Sequence, residues 1–210
     1  MQPIDVTPPP GEPMEEPEQT TTPRRRRTRL IVLGSLLTVG LVGAAFVGTV
    51  GWRVTQQKDA RLDTPPEVAG LRLDQSARAQ ETAEYLQTAI GARIDLDQSI
   101  GVVYTDPASA ERSVLLFGGT TLIWTPGSDL DTLFELLADD NGAVKDLHEV
   151  DAGDLGGVMK CGESVAPEGN TTVCGWADHG SVVLALLPGR TQEQGAALLR
   201  DIRGTIQSRE

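Results

Sequence analysis

Apolar and polar positions change period several times between residues 71 and 207, and each change marks an element. Ala79, Ala83, Leu86 and Ile90 recur at helical spacing, and Gly91 follows where a C-terminal cap belongs. Ile100 to Tyr104 reads as a strand. Val114 to Phe117 and Thr121 to Trp124 read as two more, joined through Gly118-Gly119-Thr120, whose glycines suit a tight hairpin. Pro126-Gly127 ends the third strand. Ser128 then caps a helix over residues 129–139, with Leu130, Leu133, Phe134 and Leu137 on one side. Asp129 and Asp131 place negative charge at that helix's positive end. A strand is expected at Leu147 to Val150. Gly157 to Cys161, Thr171 to Trp176 and Ser181 to Leu187 read as a three-stranded antiparallel set, broken by Pro188-Gly189. Thr191 caps a final helix with Leu198, Ile202 and Ile206 on its buried stripe and Gly195 and Leu199 beside them.

Short strands, glycine-rich turns and interspersed helices predict an α+β fold: an antiparallel sheet with helices packed on one face. Parallel units fit poorly, because several strands are separated by hairpin-length gaps. The folded part spans residues 71–207, enough for one core. Residues 53–70 are mostly polar, carry Pro65-Pro66, and read as a stalk.

One segment breaks this pattern altogether. Leu30 to Trp52 is uncharged, and its 23 residues would extend roughly 34 Å as a helix, against a hydrocarbon core of about 30 Å. It predicts a single transmembrane helix. Arg24, Arg25, Arg26, Arg27 and Arg29 precede it, so residues 1–29 belong in the cytoplasm and the remainder outside the plasma membrane. A cleaved signal peptide has a shorter apolar region and a small-residue cleavage site, and the exit Gly51-Trp52-Arg53-Val54 offers none. Trp52 suits an interfacial anchor. Gly40, Ala44 and Gly48 share one helix face at the spacing of a weak homodimer contact, although glycine is common in membrane helices generally. The proline-rich tail 1–23 cannot build a core.

The tail's five arginines and five acids cancel, so the net charge of −12 falls entirely in the outer part. That surface repels nucleic acid and anionic lipid, and favours a cationic ligand or an envelope protein with a basic surface.

Cys161 and Cys174 are the only cysteines. In an oxidising compartment they are expected to close a structural disulfide over a polar loop. A redox pair would lie closer in sequence at a helix start, and a zinc site would need further ligands, with only His148 and His179 on offer. No metal and no cofactor is expected.

The string Cys174-Gly175-Trp176-Ala177-Asp178-His179-Gly180-Ser181 concentrates rare residue types. Trp176, Asp178 and His179 are its candidate binding residues. A catalytic triad is disfavoured, because neighbours on a strand face opposite sides. The plainer reading is a turn: Asp178 accepts from backbone N–H groups two positions on, Gly180 takes a positive φ, and Trp176 packs beside the bridge. Asp139, Asp140, Asp146, Glu149, Asp151 and Asp154 crowd one region without the spacing of a calcium loop.

The strings Gly157-Val158-Met159-Lys160-Cys161-Gly162, Val173-Cys174-Gly175-Trp176-Ala177-Asp178-His179 and Leu199-Arg200-Asp201-Ile202-Arg203, with the arginine-flanked span, resemble uncharacterised single-pass membrane proteins of Streptomyces-like actinobacteria. The resemblance implies a plasma-membrane protein facing the cell wall and no catalytic residue. The expected function is ligand or protein binding, or support of an envelope assembly. The alternatives are a cell-envelope hydrolase using acidic residues and a signalling accessory protein.

Overall fold

The computed structural model describes residues 48–49, 51–137, 144–166 and 169–209. The tail 1–29, Gly40, Ala44 and the rest of the span except Gly48, Thr49, Gly51 and Trp52 lie outside the described residues, as do Asp139 and Asp140. Among the described residues no helix is long and apolar enough to cross a membrane.

Residues 51–57 are helical. The chain continues through β1 (Ala60–Leu62), β2 (Glu67–Val68), β3 (Leu71–Leu73), α1 (Ala77–Gly91), β4 (Gln98–Asp106), β5 (Ser109–Thr120) and α2 (Pro126–Leu136). It then forms β6 (Lys145–Val150), β7 (Val158–Ala166), β8 (Gly169–Ala177), β9 (Ser181–Pro188), α3 (Gln192–Ile206) and β10 (Gln207–Arg209). Among the described residues, eight strands make one sheet in the order β2-β3-β4-β5-β9-β8-β7-β6, and β1 pairs with β10. Every pairing is antiparallel.

The α+β class with an antiparallel sheet is as expected; the single covered face is not. Leu199, Ile202 and Ile206 of α3 pack with Leu116, Cys174, Trp176 and Val183 on one face. Leu86 and Ile90 of α1 and Leu130, Leu133 and Phe134 of α2 pack with Phe117, Val173 and Leu184 on the other. The physical reason is visible in β9. Val182 to Leu187 is an unbroken apolar run, and a strand buried on both faces needs apolar residues at odd and even positions alike.

Two local expectations also change. No hairpin occurs at Gly118-Gly119-Thr120. β5 runs straight through, and a Cβ at Gly118 or Gly119 would strike the backbone oxygen of Val182 or Gln98, so these glycines serve close strand approach. The β4–β5 turn lies instead at Pro107-Ala108, where the Ala108 N–H donates to Asp106 Oδ1 at 2.9 Å. The second helix starts at Pro126, two residues before Ser128, because proline's fixed φ suits the first helical position.

Residues 53–70 are not a stalk. Ala60, Leu62 and Val68 are buried, and Ala60 to Leu62 pairs with Gln207 to Arg209. Aliphatic residues spaced two apart, too few to register as an element by themselves, find a partner strand at the far end of the chain.

Candidate functional site

The Cys174–Ser181 string occupies the end of β8, a turn and the start of β9. Cys161 and Cys174 face each other across β7 and β8 and form a disulfide. It lies under Gly195 of α3, where a Cβ would approach Cys174 Sγ to 3.3 Å.

Trp176 and Asp178 are wholly buried. Asp178 Oδ1 accepts from the backbone N–H groups of Gly180 and Ser181, both at 2.8 Å, and from Ser181 Oγ at 3.1 Å. Its Oδ2 accepts from Gln207 Nε2 at 2.6 Å, Arg209 Nη2 at 2.8 Å and Arg203 Nη2 at 2.9 Å. Six donors saturate the carboxylate. Burial opposes its charge, but the bonds from Gln207 and Gly180 and the nearby Arg203 outweigh burial and hold its pKa below the ordinary value. Burial lowers the Arg203 pKa in turn, with Asp178 opposing. Trp176 Nε1 donates to Ser181 Oγ at 3.2 Å, and the Arg203 guanidinium lies 5.5 Å from the Trp176 ring centroid. Ser181 therefore points its hydroxyl at Asp178, away from His179.

Of the three candidate binding residues, His179 alone is partly exposed. Its Nδ1 bonds the Ile123 carbonyl at 2.8 Å. A carbonyl only accepts, so Nδ1 carries the proton, leaving Nε2 as the acceptor of the neutral ring. His179 lines a recess of about 410 Å³ with Arg53, Gln57, Pro126, Gly156, Gly157 and Val158. The His179 N–H donates to Gln57 Oε1 at 3.2 Å. The expected positive φ at Gly180 is not found. Glycine is needed there for space, since a Cβ would be driven into the Gln57 carbonyl oxygen. Gly180→Ala should lower stability by about 1–3 kcal/mol and speed tryptic cleavage at Lys58, as residues 51–60 are pushed from their seat.

A second recess lies on the face shared by α1 and α2. Val103, Leu115, Leu186 and Pro188 floor a cavity of about 370 Å³, rimmed by Asp74, Ser76, Arg78 and Thr82. A separate cavity of about 170 Å³ lies between α1 and α2 over Phe117 and Leu184. Leu115 opposes Leu186 and Phe117 opposes Leu184, so both cavities lie over the β5–β9 pair, and the larger is an open apolar groove beside α1. Among the described residues no group of three or more His, Cys, Asp or Glu side chains is gathered for a metal ion. Asp74, whose carboxylate accepts from Ser76, and Asp178 both have lowered pKa values, opposite to the need of a general acid.

No family model, curated protein or solved structure matches the chain.

Arg203, Gln207 and Arg209 were not singled out from the sequence. One signal for Arg203 was present: it lies four residues after Leu199, on the buried stripe of α3. A guanidinium on an apolar helix face calls for a buried acid.

Proposed function

We propose that this is a membrane-anchored, extracytoplasmic binding domain whose groove between α1 and the β5–β9 strands receives an apolar segment of an envelope protein. The groove carries the reading: its floor is aliphatic, its rim polar, and it is held on rigid elements. The outer part's net charge of −12 selects a partner with basic residues flanking that segment and steers its approach. The apolar Leu30–Trp52 segment supports the anchor, the arginines before it support an outward-facing domain, and the Cys161–Cys174 disulfide suits an oxidising compartment.

A photo-crosslinking residue at Thr82, on the groove rim, should trap a discrete envelope protein in intact cells. The same residue at Ala197, exposed on the opposite face, should not. Equal trapping at both positions, or none at either, would rule the groove out.

A further inference from the structure

Leu122 and Trp124 are 46% and 69% exposed, while Ile123 between them is 4% exposed. Ile123 enters the core while the side chains on either side of it stay in solvent. It is held there by the His179-Gly180 turn. Ile123 N–H donates to the His179 carbonyl at 3.1 Å, the Ile123 carbonyl accepts from His179 Nδ1, and Thr121 N–H donates to the Gly180 carbonyl at 3.2 Å. A large ring and an isobutyl group are thus presented to solvent by rigid backbone, which calls for a partner surface.

The position of this segment names that surface. The sheet has two ends. The β4–β5 turn at Pro107-Ala108 and the β9–α3 turn mark the far end. The Leu122–Trp124 segment, the Asp178–Gly180 turn and residues 51–60 share the near end, where Arg53 and Gln57 line one recess with Pro126 and His179. The uncharged stretch Leu30–Trp52 stops one residue before Arg53. Trp52 is itself 68% exposed. On the anchoring reading the bilayer surface begins within a residue of Arg53.

We propose that Leu122 and Trp124 rest in the headgroup layer of the bilayer that residues 30–52 cross, so that the domain stands on the membrane by its near end. The inference rests on the anchoring reading. Tryptophan, with an apolar ring and a polar N–H, favours that layer. Contact is shallow, because Asp95 and Asp129 line the same recess as Trp124 and resist transfer into hydrocarbon. The far end, including the Ser113–Pro188 end of the groove, then faces away from the lipid.

The test uses the full chain with its disulfide closed, reconstituted in phosphatidylcholine vesicles, which carry no net charge for the acidic domain to be repelled by. An environment-sensitive fluorophore is attached at Leu122→Cys in one preparation. In a second it is attached at Ala108→Cys, roughly 40 Å away along β5. Flotation first establishes that both preparations are anchored. The Leu122 probe should emit at shorter wavelength than the Ala108 probe. Lipids brominated near the headgroup should quench it several-fold more than lipids brominated near the chain terminus, with neither affecting Ala108. Chain that floats with equal, unquenched emission at both sites overturns the inference and leaves the anchor intact. Chain that does not float overturns both. Protection of Leu122 that grows with protein concentration and ignores bromine assigns the patch to a second copy and also overturns the proposal. Leu122→Ser with Trp124→Ser should abolish near-end protection, read from a probe at Thr125→Cys, without lowering the melting temperature.

Discussion

Asp178→Ala will unfold or severely destabilise the domain, at a cost of about 3–5 kcal/mol. The carboxylate is the meeting point of three separated pieces of chain: the β8–β9 turn, the end of α3 and β10. Removing it leaves the Arg203 guanidinium, whose side chain is 1% exposed, without its counter-charge inside the protein. Isolated buried charge is penalised far more than the intact pair is rewarded, so the loss exceeds that of a surface ion pair of the same length. Asp178→Asn keeps the shape but loses the charge, and should still be strongly destabilised. Chemical denaturation of the domain, followed by near-ultraviolet signal from Trp176, reads both variants directly. The pH response has a definite sign. Asp178 titrates in the folded state below its ordinary value of 3.8. The unfolded chain therefore binds the proton first as acid is added. The stabilisation is complete above about pH 5 and is lost as pH falls through the lowered value. Asp178→Asn should flatten that part of the acid-unfolding profile; an unchanged profile would show that other carboxylates govern it.

Opening the disulfide, by reduction or by Cys161→Ala with Cys174→Ala, is the second large effect. The bridge restricts a loop of about fourteen residues in the unfolded chain, which corresponds to about 3 kcal/mol. For a domain of this size that lowers the melting temperature by about 10 °C. The hairpin should keep its register, because Met159 still opposes Trp176 and Lys160 still opposes Gly175 on either side of the bridge. Calorimetry with and without reductant measures the shift, and thiol labelling of the untreated protein should find no free cysteine. A shift under a degree would mean that the β7–β8 pairing persists in the unfolded ensemble.

Much of the fold was legible because it is written in local period. α1 and α3 and the strands β4, β7, β8 and β9 lie where the apolar spacing puts them, and Thr191 with Gln194 forms the cap expected at α3. The misreadings share one cause. Gly118 and Gly119 resemble turn residues, and Gly180 resembles a left-handed one, because each lacks a Cβ. A turn and a close backbone approach both require that absence, and sequence alone does not separate them. Thr121 to Trp124 reads as a strand in the sequence, but β5's pairing stops at Thr120, and Leu122 and Trp124 remain exposed.

The candidate site divides in the same way. The string from Cys174 to Ser181 was conspicuous by composition, and the Asp178 turn followed from short-range hydrogen bonding. What holds the carboxylate lay 25 to 31 positions further on, in Arg203, Gln207 and Arg209.

By itself, then, the order of residues determined where the helices and most of the longer strands lie, which cysteines pair and which short turn Asp178 organises, because these depend on neighbours within a few positions or on a choice among two sulfurs. Only the tertiary structure decided that both sheet faces are covered, that residues 60–62 close against 207–209, and that Trp176 and Asp178 are interior while Leu122 and Trp124 are outside. Burial is a property of what lies across the sheet, and that neighbour comes from a distant part of the chain.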